Sequence, residues 1–195
     1  MPGFTVTEWN HRMLTGLIPE GGFCIDGTAG TGRDTLYLSQ AAGERGKVLA
    51  FDIQQAALDM TRQRLETAQC GGNTTLLLDS HVHMDQYAQK GTVDAILFNF
   101  GYLPGGDHKL ATRPDTSLEA VQKGLELLKI GGVMSLCVYS GGDTGFTERD
   151  TLLEFAAGVN PRKYLVIRSD FFNRPNNPPI ILLILPLKER ENRTE

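Results

Sequence analysis

Between residues 23 and 140 the chain alternates short apolar runs with segments of helical period, and this alternation restricts the fold more than any other feature. The spacing predicts strands at FCID (23–26), KVLAFD (47–52), TTLLLD (74–79), VDAILFNF (93–100) and VMSLCVYS (133–140). Helical segments fall between them at 32–42, 54–69 and 116–129, several ended by glycine. A further helix over 147–158 precedes two more strands, YLVIRSDF (164–171) and IILLILP (180–186). Strands separated by helices of this length build βαβ units. The expected fold is therefore α/β, a doubly wound, mostly parallel seven-stranded sheet with helices on both faces, in a single domain spanning residues 1–195.

Composition removes several alternatives. With 23 acidic against 19 basic residues the formal charge is −4, so no global field attracts a polyanion and any nucleic-acid contact must come from a local patch. Arg33, Lys109, Arg113, Arg149, Arg162, Lys163 and Arg174 are the candidate cations. Cys24, Cys70 and Cys137 are far apart and form no CxxC pair, which argues against a disulfide or zinc framework; Cys24 and Cys137 lie in apolar runs and are expected in the core. The longest apolar run, Ile180 to Leu185, is too short to span a bilayer. The chain is expected to be soluble and cytoplasmic, with no metal and no membrane partner.

Open α/β sheets bind ligands beyond the carboxyl ends of their strands, where strand order reverses. The residues after each strand are accordingly the informative ones. After the first comes DGTAGTGRD (26–34), with glycines at 27, 30 and 32 that let backbone approach a ligand ahead of a helix N-terminus. A dinucleotide fingerprint would need a third glycine where Thr35 stands, which weakens a nicotinamide reading. Asp26 suits the positive sulfonium and ammonium of S-adenosylmethionine better than a pyrophosphate. After the second strand, Asp52 is placed either to accept both hydroxyls of a ribose or to cap the helix beginning at Gln54. After the third, Asp79 or Ser80 can meet an adenine edge, while His81 and His83 lack a third ligand nearby, and His81 caps or packs.

The fourth strand exits through NFGYLPGG (99–106). Turn chemistry accounts for Gly101, Pro104, Gly105 and Gly106, but not for the asparagine that leaves the strand. The Asn99 side-chain oxygen and the Phe100 carbonyl can accept the N–H groups of an amine, and Tyr102 can stack on the target. Cys137 lies inside a strand with no base beside it, so methylation through a cysteine adduct is not expected.

Together, DGTAGTGRDT, FDIQ, LDSH, FNFGYLPGGD and the late NNPP (176–179) resemble the class I S-adenosylmethionine methyltransferases with a Rossmann-like fold, formerly described as rRNA methylases and now understood as tRNA 5-aminomethyl-2-thiouridine methyltransferases. The resemblance covers nearly the whole chain. It implies N-methylation of the 5-aminomethyl group on the wobble uridine of a tRNA anticodon arm, giving the 5-methylaminomethyl form in bacteria, and it suggests a homodimer. It also implies that Asp26, Gly27, Thr28, Gly30, Gly32, Asp52, Gln54, Asp79, Ser80, His81 and Asn99 hold the cofactor. Asn99, Tyr102 and Tyr139 would serve catalysis, and Gly101, Leu103, Pro104, Gly105, Gly106, Asn176 and Asn177 the substrate. Some relatives carry YHGH where this chain has Tyr139 to Gly142, so a histidine base is not expected there. A methyltransferase for rRNA or a small amine would share the cofactor loops and differ at the mouth.

Overall fold

The computed structural model describes residues 4–101, 113–140 and 145–188. In chain order the elements are α1 (Val6–Leu14), β1 (Phe23–Asp26), α2 (Arg33–Ala42), β2 (Lys47–Asp52), α3 (Gln55–Thr67), β3 (Thr74–Leu78), a 3-10 helix (His81–Gln86), β4 (Val93–Phe100), α4 (Pro114–Leu127), β5 (Leu128–Val138), α5 (Gly145–Gly158), β6 (Tyr164–Ser169) and β7 (Ile180–Pro186). The seven strands form one sheet in the order β3-β2-β1-β4-β5-β7-β6. Only β7 runs against its neighbours, pairing antiparallel with both β5 and β6. Strand order reverses between β1 and β4, and β4 runs three residues beyond β1, because Asp26, the last residue of β1, pairs with Leu97 while β4 continues to Phe100.

Strand alternation divides the core. Ile96, Phe98 and Phe100 of β4 join Met134, Leu136 and Val138 of β5 beneath α4 and α5, while Ala95 and Leu97 join Cys24, Val133 and Cys137 beneath α1 and α2. Side chains of successive strand residues point to opposite faces, so Asn99 inherits the α1/α2 face from Ala95 and Leu97. Helix α1 is not among the helices expected from periodicity, although its start carries a capping box: Thr5 Oγ1 accepts from the Glu8 N–H at 3.2 Å and the Glu8 carboxylate accepts from the Thr5 N–H at 3.0 Å. Two side-chain bonds pin α1 to the sheet, Ser135 Oγ to Asn10 Oδ1 at 2.6 Å and Trp9 Nε1 to Ser169 Oγ at 3.0 Å.

The largest departure from the expected boundaries lies between α4 and β5. The helix expected to reach Lys129 ends at Leu127, and β5 begins at Leu128 rather than Val133. A register shift lets Val93 pair with Leu128 and Ala95 with Val133, with Gly131 at φ +84° in the extra length. The described helices include none long and apolar enough to cross a membrane.

Candidate functional site

The β1–α2 loop is shaped by backbone that other residues could not adopt. Gly30 and Gly32 have φ of +53° and +77°, and a Cβ on Gly32 would approach the Thr61 Cα to 2.8 Å. Gly27 has a different reason: a Cβ there would fall 2.2 Å from Phe98 Cε1, so the loop lies directly on the β4 ring. Gly32 is the N-cap of α2 and has no side chain to satisfy the first-turn N–H groups, which leaves the positive end of the helix open toward the loop. Close backbone and an open helix N-terminus fit a nucleoside cofactor whose tail carries an anionic group.

Three carboxylates surround the cradle and differ sharply. Asp26 is fully buried beneath the loop, accepting from the Thr28 N–H at 3.0 Å and from Thr35 Oγ1 at 2.6 Å. Burial, and secondarily the Asp34 charge, push its carboxyl up to about 7 despite those bonds. Asp52 bridges two chain segments, its Oδ2 accepting from the Gly30 N–H and its Oδ1 from the Gln54 N–H, both at 2.9 Å. Gln54, not Asp52, occupies the N-cap position of α3. Each Asp52 oxygen retains a lone pair for a ribose hydroxyl, and burial raises its pKa. Beside it Ile53 is 54% exposed, an apolar surface that no sequence motif marks. Asp79 accepts from the Ser80 N–H, His83 Nδ1 and Tyr87 Oη at 2.7, 2.7 and 2.9 Å, and the His83 and Tyr87 bonds hold its pKa down. Ser80 caps the 3-10 helix.

His81 packs as expected, edge-on to Phe98 and Phe100, with Nδ1 3.1 Å from the Gly27 carbonyl. Burial lowers its pKa and favours the neutral ring, so Nδ1–H donates to Gly27 and Nε2 is left as a bare acceptor, buried and without a partner among the described residues.

Asn99 binds through two of its groups. Its backbone N–H donates to Thr28 Oγ1 at 2.7 Å, and its Nδ2 donates to Asp34 Oδ2 at 2.5 Å. Asp34 is 4% exposed, and its other oxygen lies 2.5 Å from Nε2 of His11 on α1. The His11 ring stacks on Tyr37 at 4.0 Å, and Tyr37 Oη donates to the His11 carbonyl at 3.1 Å. The Phe100 carbonyl, expected to face an amine, accepts from the Tyr139 N–H at 3.2 Å as part of the β4–β5 ladder. Tyr139 packs with the α1/α2-side core, and burial raises its pKa, which keeps the phenol protonated. Gly101 lies against Tyr139, within 3.3 Å of its Cβ for a hypothetical side chain. Cys137 is fully buried and its thiol is pushed well above the ordinary value, so it supplies no thiolate.

Tyr102, Leu103, Pro104, Gly105, Gly106, Lys109, Gly141 and Gly142 lie outside the described residues. Asn176 and Asn177 are exposed, with φ of +64° and +49°, in the β6–β7 connection. Because Ile180 pairs with Val138, that connection rises at the same sheet edge as the ends of β4 and β5. Arg162 and Lys163 do not: they precede Tyr164, which pairs with Pro186 at the opposite edge. Arg149 is tied to Asp150 at 2.8 Å and lies over Phe146. Among the described residues no group of three His, Cys, Asp or Glu is arranged to hold a metal.

Comparison with known proteins agrees with this architecture. Residues 48–185 match the family model described as "Putative rRNA methylase". A chloroplastic tRNA (mnm(5)s(2)U34)-methyltransferase of Arabidopsis thaliana is 31% identical over 95% of this chain and 70% of its own length. A Clostridium thermocellum structure described as an rRNA methylase superposes with a TM-score of 0.90 at 40% identity, covering 96% of this chain and all of that one. A Streptococcus mutans methyltransferase solved in complex with SAH gives 0.84 at 35% identity, again over 96% of this chain and all of the other.

Proposed function

The chain belongs to the rRNA methylase family of S-adenosylmethionine-dependent methyltransferases, and from that premise we propose that it methylates the 5-aminomethyl nitrogen of the wobble (2-thio)uridine in a tRNA anticodon arm. The observation that carries this reading is Asn99, which stands at the strand-order reversal beside the glycine cradle with Oδ1 unmatched by any donor among the described residues. An amide oxygen there accepts an N–H of a primary amine and leaves the nitrogen lone pair free. The plant relative, whose name specifies a wobble nucleoside, supports the amine as the target.

Bound in the cradle, S-adenosylmethionine supplies an electrophilic methyl group. Asp52 holds the ribose hydroxyls, Gly27, Thr28, Gly30 and Gly32 supply close backbone, and Asp26, in its ionised form, contributes negative field from below the loop. Asn99 orients the amine for in-line attack: the new C–N bond forms from the lone pair as the C–S pair returns to sulfur, and the surplus proton passes to solvent. Holding the reactants in this geometry supplies most of the acceleration, with effective molarities of about 10⁵ to 10⁸ M in favourable cases. Asn176 and Asn177, with Arg33 and Arg174, serve the RNA at the mouth.

The test is incubation with cofactor and tRNA bearing 5-aminomethyl-2-thiouridine, followed by nucleoside mass spectrometry. A methyl gain on that nucleoside is expected. Methylation only of ribosomal RNA, or of free amines, would overturn the substrate.

A further inference from the structure

The amide of Asn99 is useful to an amine only if its oxygen, and not its nitrogen, faces the mouth. An isolated asparagine has no such preference, because rotation by half a turn exchanges donor and acceptor ends of nearly equal shape. The partner of the Asn99 side chain removes that ambiguity. Asp34 is an acceptor-only carboxylate, so the atom 2.5 Å from its Oδ2 must be the donor Nδ2, and Oδ1 is turned away from Asp34. We propose that Asp34, braced by His11, is the positioning residue that fixes the Asn99 amide with Oδ1 toward the substrate amine. The proposal rests on the reading of Asn99 as the amine acceptor.

Asp34 itself is held against rotation. His11 donates to its second oxygen from α1, a separate element 23 residues earlier in the chain. The His11 ring cannot swing away without leaving the Tyr37 face, and the Tyr37 hydroxyl holds the His11 main chain through its carbonyl. Helix α1 is in turn pinned through Asn10 to Ser135 and through Trp9 to Ser169. The arrangement therefore runs from α1 through α2 to the tip of β4. A simpler account of Asp34 is available, since an acid in the first turn of α2 favours the helix dipole. That account explains an exposed carboxylate. It does not explain a carboxylate 4% exposed with both oxygens bonded to side chains, one of them 65 residues away.

Reversing the pair tests the idea. Asn99→Asp alone sets two carboxylates against each other and should abolish transfer. Asp34→Asn with Asn99→Asp restores an amide–carboxylate bond of opposite polarity and again leaves an acceptor oxygen at the mouth. The double variant should exceed Asn99→Asp by about tenfold or more in single-turnover rate, a coupling typical of directly bonded residues. Asp34→Ala should lower kcat by about 10- to 100-fold, as loss of an outer-shell partner does, with KM for tRNA and cofactor affinity changed by less than about threefold. The orientation is also read without substrate. In protein labelled with 15N-asparagine, the Asn99 side-chain amide should show one strongly shifted, slowly exchanging proton that Asp34→Ala returns to the ordinary range. An unshifted amide in the wild type, or a double variant no faster than Asn99→Asp, would overturn the proposal. A wild-type enzyme inactive on 5-aminomethyluridine would instead defeat the substrate reading, and the amide spectrum would still decide the role of Asp34.

Discussion

The two halves of the candidate site are built by different means. On the β1–β2 side, the cradle is made of backbone: glycine conformations, a helix N-terminus, and carboxylates that bind main-chain N–H groups two to twenty-two residues away. On the β4 side, the geometry is made of side chains meeting across the fold, with His11, Asp34 and Asn99 drawn from three elements. In the proposed mechanism the first half holds the cofactor and the second sets which atom receives the methyl group. Changes in the first should therefore alter affinity and stability, and changes in the second should alter turnover.

The sharpest way to break the cofactor half is Gly27→Ala. Its Cβ would enter the Phe98 ring, which is stacked on Phe100 and edged by His81 and has no free direction in which to move. Overpacking of this kind costs about 1–3 kcal/mol, so a lower Tm and cofactor affinity reduced by an order of magnitude or more are expected in thermal melts and calorimetry. Asp52→Ala removes the acceptor for two backbone N–H groups and, in the proposed mechanism, for the ribose. Charge-assisted bonds of that type are worth about 1.5–3 kcal/mol, so cofactor Kd should rise by roughly 10- to 100-fold while the rate at saturating cofactor changes far less. A smaller effect sharpens the comparison through pH. Asp26 has its folded pKa raised to about 7, above its unfolded value, so folding takes up a proton between roughly pH 4 and pH 7. Stability should fall as pH rises through that window and level off above it, and Asp26→Asn should flatten the slope in denaturant titrations. Burial sets the direction of this behaviour, Asp34 and Asp52 add to it, and the Thr35 and Thr28 bonds oppose it.

The same division explains what was legible in the sequence. Strand alternation and glycine placement are local signals, and β1, β2, β4 and β7 fall where the apolar runs put them. Asp52 was visible for the same reason, since its position after β2 follows from the βα repeat. Asp34 closes the DGTAGTGRD loop with no local sign of its bond to Asn99, because that partner is 65 residues away and only the parity of β4 brings them to one face. That parity was readable: Asn99 stands two residues beyond Leu97, on the side that packs under α2. His11 was not reachable, because α1 was missed although Thr5 and Glu8 spell its capping box. The start of β5 was misplaced because Lys129 and two glycines resemble a helix end followed by a turn, and only pairing with Val93 makes them strand.

The central claim is that Asn99 acts on the methyl acceptor and not on the cofactor. Single-turnover methyl transfer at saturating cofactor, comparing wild type with Asn99→Ala on tRNA bearing 5-aminomethyl-2-thiouridine, tests it most directly. A rate lowered by about 10²- to 10³-fold, the scale for losing one preorganised group at a reacting centre, with SAH affinity unchanged, is the predicted result. An Asn99→Ala enzyme that transfers at the wild-type rate, or one that fails only because it no longer binds SAH, would contradict it.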